Sequence, residues 1–227
     1  MRIVGIGFAG FLFCCFALLS GNTFAEEKTK AEMMDNASAP KVVKPTSATG
    51  AAIFPYKDSA GTVVVLANED THPFLFYGEK VRDNLKRINV QKRYKKSFEK
   101  FFSVQDCLKK SERGKEKPDL TQIDWSIIDN KEDASVCLFR IASSYDTPES
   151  MKAWFEKGDF NEVKLTRPNK GDIHVDAGWN VRERGMRFWS NPLSRAWGNL
   201  IVWGSSFTLQ YNESEVLQSA GVGHTIE

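Results

Sequence analysis

Cysteine is scarce in this sequence, and its placement makes it scarcer. Of four cysteines in 227 residues, Cys14 and Cys15 fall within the first 25, leaving only Cys107 and Cys137 beyond them. No C-x-x-C pair occurs, which excludes a thioredoxin-like redox motif and the usual cysteine-based zinc sites. Histidine is scarcer still: His72, His174 and His224 are the whole supply, and none stands in a metal-ligating spacing. A G-x-S-x-G elbow, an H-E-x-x-H helix and a Walker loop are also absent. The common signatures of serine hydrolases, zinc proteases and nucleotide hydrolases are therefore missing, although catalytic groups can still converge from distant positions. No motif asks for a cofactor or a metal. Charge of one sign is lacking as well, since 31 Lys and Arg face 29 Asp and Glu for a net charge of +2. A balance so near zero argues against a nucleic-acid partner. Beyond residue 25 no apolar run approaches the roughly 18 residues of a membrane span.

What is present starts at the N-terminus. Gly5, Gly7 and Gly10 match the G-x-G-x-x-G spacing of a dinucleotide-binding turn, with acids following at Glu26 and Glu27. The residues after the glycines contradict that reading. Phe11, Leu12, Phe13, Phe16, Leu18 and Leu19 make the segment apolar all round, where a Rossmann helix is amphipathic. Arg2, the uncharged stretch Val4 to Leu19 and the small residues Thr23 and Ala25 instead compose an export signal over residues 1–25. Ser20-Gly21-Asn22-Thr23 offers no lipoprotein cysteine. The expectation is export by a cleavable signal peptide, into the periplasm of a Gram-negative cell and otherwise to the outside. In an oxidising compartment Cys107 and Cys137 then pair as a disulfide.

Residues 26–52 are charged and rich in Pro, Ser, Thr and Ala, too polar to repay the entropy of ordering. They read as a flexible linker ahead of one globular domain, residues 53–227. Thr62 to Leu66 and Phe74 to Tyr77 predict short strands. Glu79 to Ser103 predicts one long basic amphipathic helix, with Val81, Leu85, Ile88, Tyr94, Phe98 and Phe101 along its apolar stripe. Val136 to Ile141 predicts a strand containing Cys137. Thr147-Pro148 and Asn191-Pro192 open two shorter helices, with Met151, Trp154 and Phe155 on one face of the first and Leu193, Ala196 and Trp197 on one face of the second. Strict alternation over residues 172–182 and 206–211 predicts half-buried antiparallel strands. The fold class that follows is α+β: a single domain with an antiparallel sheet, one long basic helix and two shorter ones.

Three constellations could carry chemistry. Alternation places His174, Asp176, Asn180 and Arg182 on one strand face, where Asp172, His174 and Asp176 are candidate acid/base groups; solvated polar residues on a half-exposed sheet give the plainer account. Arg182, Arg184, Arg187 and Trp189 form an aromatic and basic run suited to binding, against the plainer reading of tryptophans as core residues. Residues 79–117 hold fourteen Lys or Arg against six Asp or Glu, net +8, while residues 118–227 are net −5. Such a segment could meet an anionic membrane surface or serve as a solvated helix face.

Missing enzyme signatures joined to export point first to a non-enzymatic envelope or secreted binding protein with a protein partner, of the inhibitor, immunity or secretion-accessory type. An exported hydrolase acting on cell-wall or sugar substrates, with Trp179 or Trp189 stacking on sugar rings, is the second reading. An envelope protein binding anionic lipid through residues 79–117 is the third.

Overall fold

Three side-chain caps start the helices around which the domain is built. Asn130 accepts the Asp133 N–H at 2.9 Å, Thr147 the Ser150 N–H at 3.2 Å, and Asn180 the Glu183 N–H at 3.3 Å. Each satisfies one of the N–H groups that a first helical turn leaves without a backbone partner. The computed structural model describes residues 55–81, 88–168, 171–187, 189 and 191–226. The export signal read at 1–25 and the linker read at 26–52 lie outside the described residues.

In chain order, β1 (Tyr56–Lys57) pairs antiparallel with β2 (Val63–Val64), and β3 (Leu75–Phe76) with β4 (Glu79–Lys80). Helix α1 (Ile88–Lys100) and a short 3-10 turn at Val104–Cys107 follow, then α2 (Lys131–Ala142) and α3 (Pro148–Lys157). A four-stranded antiparallel meander closes the chain: β5 (Asn161–Thr166), β6 (Ile173–Asn180), β7 (Val202–Tyr211) and β8 (Leu217–Ile226). Between β6 and β7 stand the one-turn helix α4 (Val181–Arg184) and α5 (Pro192–Ile201). The fold is α+β with antiparallel sheets, as the patterning predicts.

Along β6 the odd residues Ile173, Val175, Ala177 and Trp179 are buried and the even ones are half-exposed, so one sheet face is dry and the other wet. Helices α2 and α3 lie on the dry face. Phe160 is the hub there, with ring centroids 5.0 Å from Phe155, 5.0 Å from Phe207 and 5.9 Å from both Trp154 and Trp179. The Ser135 hydroxyl of α2 accepts the Val222 N–H at 3.0 Å, capping a donor of edge strand β8. Cys107 and Cys137 form a disulfide that ties the 3-10 turn to α2, closing a separation of 30 residues. In the chain-entropy description such a closure contributes on the order of 3–4 kcal/mol.

Four expectations are corrected. Residues 136–141 are not a strand but the body of α2, whose residues from Glu132 to Ala142 are all buried. A helix dry on every side shows no polar face, and a short apolar run then reads equally as a buried strand. Of the helix predicted over 79–103, α1 covers Ile88–Lys100, whereas Glu79 and Lys80 turn back as β4 against β3; residues 82–87 lie outside the described residues. The strand predicted over 172–182 ends at Asn180, whose side chain caps α4, so Arg182 leaves the sheet face shared by His174 and Asp176. Finally, β5 and β8 are strands without a prediction; β8 carries Gly221 and Gly223, which weaken any strand signal.

Candidate binding cleft

A concavity with convergent polar groups lies away from the predicted acid/base strand and the arginine run, and takes only Lys117 from the basic segment 79–117. It is a half-open cleft of about 370 Å³ between the β1–β2 hairpin, residues 117–121 and α3. Tyr56 and Tyr145 line it, and Tyr56 donates its hydroxyl to the Pro118 carbonyl at 2.9 Å, tying hairpin to loop. Burial, reinforced by the charges of Asp58 and Asp119, pushes the Tyr56 phenol up to about 12 and raises Tyr145 further. Both hydroxyls therefore stay protonated donors at every physiological pH.

The two carboxylates in the cleft are engaged by its own backbone. Asp58 Oδ1 accepts the Ala60 and Thr62 N–H groups at 2.9 and 3.0 Å, closing the hairpin turn. Asp119 Oδ1 accepts the Thr121 N–H at 3.0 Å and the Thr121 hydroxyl at 2.7 Å. Burial alone would raise the Asp119 carboxyl, but these bonds and the charge of Lys157 outweigh it and hold the group below its ordinary range. The cations are less committed. Lys57, Lys117 and Lys157 line the cleft, and among the described residues none of them forms an ion pair within 4.0 Å; Lys157 Nζ reaches only the Ser59 hydroxyl, at 3.5 Å. Trp154, Leu120 and Ala153 add an apolar wall. The cleft thus offers ammonium groups at its rim, the Tyr145 hydroxyl below and an apolar side.

The predicted sites fall elsewhere. On the wet face of β6, His174 stands opposite Thr166 and Gln210, and Asp176 accepts the Thr208 hydroxyl at 2.8 Å. Asp172 lies just before the strand. With Lys164 opposite Asp176 on β5, these neighbours are the hydroxyl, amide and ammonium groups of a solvated sheet. Among the described residues no three His, Cys, Asp or Glu side chains converge as a metal site.

The aromatic and arginine run is brought together, but by packing on itself. Arg187 stacks 3.5 Å above the Trp179 ring, lies 4.6 Å from that of Phe160 and donates to the Gly158 carbonyl at 2.9 Å. Burial, with the like charge of Arg184, lowers its guanidinium to about 10. Arg182 lies 3.2 Å over Trp203, and Arg184 donates to the Asp159 carbonyl. Trp189 gives its N–H to the Ile128 carbonyl at 2.8 Å and sets its ring edge-on to His224 at 5.8 Å. These contacts fasten the β6–β7 connection to the rest of the domain. Arg182 and Arg184 remain exposed nonetheless.

The basic segment 79–117 meets acids from elsewhere in the fold. Lys100 bonds Asp129 at 2.7 Å and Asp133 at 2.8 Å, Arg93 reaches Glu132 at 3.2 Å, and Arg113 reaches Asp124 at 3.7 Å. Part of the charge asymmetry seen in the sequence, that of Arg93, Lys100 and Arg113, is therefore met by acids of the α2 region and residue 124.

No family model matches this chain, and neither the curated proteins nor the solved structures searched contain a match. Sequence reasoning missed the cleft because its residues come from positions 56–62, 117–121 and 145–157, none of which forms a local motif. The one signal available was the cluster of turn-forming Asp, Ser, Gly and Pro at 55–61 and 118–121.

Proposed function

We propose that this chain is an exported, non-enzymatic binding protein that takes an acidic, extended segment of a protein partner into the cleft between the β1–β2 hairpin and α3. One observation carries the reading: the carboxylates in the cleft are turned into backbone caps, whereas three lysine ammoniums line it without ion-pair partners among the described residues. A carboxylate-bearing segment would find cations at the rim, the hydroxyl donor of Tyr145, and an apolar wall for its side chains. The disulfide is compatible with an oxidising compartment, and no described helix is long and apolar enough to cross a membrane.

The test is site-directed photocrosslinking of the full chain in the producing cell. A crosslinker at exposed Ala60, on the hairpin rim, should give a discrete protein adduct that is lost when Lys117 and Lys157 are both changed to Glu. The same group at exposed Glu213, on the β7–β8 turn, should not. Identical adducts from both positions, or adducts indifferent to the charge reversal, would reject the cleft as the working surface.

A further inference from the structure

Helix α5 is built inside out. With about 3.6 residues per turn, Leu193, Trp197, Leu200 and Ile201 fall on one face. That face, which carries the predicted grouping of Leu193 with Trp197, is turned to solvent: Leu193 is 73% exposed, Trp197 65%, Leu200 74% and Ile201 48%. The buried contact is made by Gly198 on the opposite side, where the Trp189 ring lies so close that an added Cβ would come within 2.2 Å of it. Ile226 of β8, 66% exposed, extends the apolar surface from the strand paired to Val202. The surroundings are cationic. Between Trp179 and Tyr211 the sequence holds Arg182, Arg184, Arg187 and Arg195 against a single acid, Glu183. Arg182 and Arg184 are exposed on the neighbouring helical turn α4.

We infer that the outer face of α5 is a membrane-contact surface that lies in the headgroup region of an anionic lipid bilayer. Two observations select this occupant for an exposed apolar patch that is functional by size. At ten residues the helix is roughly 15 Å long, far too short to span a bilayer and suited to lying in its surface. The exposed arginines Arg182 and Arg184 of the same β6–β7 connection complement anionic headgroups, and an indole at the edge of an apolar surface suits the lipid–water boundary. In the segment 79–117, by contrast, Arg93 and Lys100 are spent on Glu132 and Asp133 of α2. This inference stands apart from the cleft and uses none of its residues.

The experiment is vesicle flotation with the full chain, so that any contribution of residues 1–54 is common to every variant. On vesicles of equimolar phosphatidylglycerol and phosphatidylcholine the protein should bind about tenfold more tightly than on phosphatidylcholine alone, with the preference lost in high salt. L193S/L200S should weaken binding about tenfold on the anionic vesicles. R182E/R184E should abolish the lipid preference while leaving the apolar contribution. Leu193 and Leu200 are exposed, so L193S/L200S should leave near-ultraviolet circular dichroism and the disulfide unchanged; R182K/R184K, which keeps the charge while giving up the guanidinium contacts with Trp203 and the Asp159 carbonyl, should keep the lipid preference and so separates charge from packing in R182E/R184E. Equal binding by wild type and L193S/L200S overturns the inference. So does absence of binding to anionic vesicles, whether or not light scattering shows a dimer that L193S/L200S dissociates.

Discussion

Helices α2 and α5 are both rich in apolar residues, and the fold treats them oppositely. In α2, eleven of twelve residues are buried, including Glu132, Asp133 and Arg140. In α5 the apolar residues face water and a glycine makes the inward contact. A charge inside α2 and a hydrophobic stripe outside α5 are two departures from the ordinary partition of side chains, and they have different causes. The first is repaid within the molecule. Arg140 is fully buried, and its guanidinium bonds Glu69 at 2.6 Å, the Phe101 carbonyl at 3.3 Å and the His72 carbonyl. It is the post to which the chain before α1 is tied. The second has no counterpart among the described residues, which is why it points outward to a partner.

The largest effect should come from breaking the interior case. Arg140→Ala leaves Glu69 buried beside an empty space and takes a donor from each of two carbonyls; a loss of about 3–5 kcal/mol in denaturant unfolding is expected. Buried ion pairs are costly to desolvate, so E69Q/R140M should recover a large part of that loss by removing both charges together. A small effect of Arg140→Ala alone would mean that the N-terminal hairpins are not held by this post.

How far the sequence reveals these two helices differs for physical reasons. Caps and alternation are local, so α3, β6 and most of β7 were readable from Thr147-Pro148, the Ile173 to Trp179 alternation and the Phe207 to Tyr211 run. The pairing of Cys107 with Cys137 followed from compartment and count. Burial on all sides is not local: nothing near Arg140 announces that Glu69, 71 positions earlier, will meet it. The outward turn of α5 was equally hidden, because a stripe at i, i+4 and i+7 has the same period whether it faces core or solvent. The arginines misled in a specific way. Residue types enriched at binding surfaces are also those that stack on Trp179 and Trp203 within the chain, and composition does not separate the two uses.

A middle effect sharpens the exterior case. Gly198→Ala drives a methyl into the Trp189 ring, with Met186 also only 3.2 Å away, so α5 must lift or Trp189 must move. Overpacking of this kind costs about 1–3 kcal/mol. Leu200→Ser, one turn away on the outer face, should change stability by no more than about 0.5 kcal/mol. Thermal unfolding of the two variants side by side decides it. If Leu200→Ser proves the more damaging, the apolar stripe is covered in the folded chain and the contrast with α2 disappears.

The smallest effect separates the two regions by pH. His72 lies at the Arg140 post, and burial followed by the charge of Arg140 lowers its pKa. His224 lies under the α5 support, where it contacts Ser205 at 3.1 Å and the Trp189 edge; burial, then the charge of Lys131 against that of Glu132, lowers its pKa too. A histidine held below its ordinary value binds fewer protons folded than unfolded. Its stabilising share is complete above about pH 6.5 and is lost as pH falls toward the lowered folded value. Asp119, the exposed carboxylate held low in the cleft, acts only below about pH 4 and stays out of that window. The melting temperature should therefore drop between about pH 7.5 and 5. His72→Gln should remove the part of the slope that belongs to the α2 post, and His224→Gln the part that belongs to the α5 support. An unchanged slope in the double variant would move the pH response to other groups. A slope removed by His224→Gln alone would make the footing of α5 the acid-sensitive region, and anionic-vesicle binding should then weaken over the same range through loss of helix geometry, whereas attraction between arginines and phosphates is constant there.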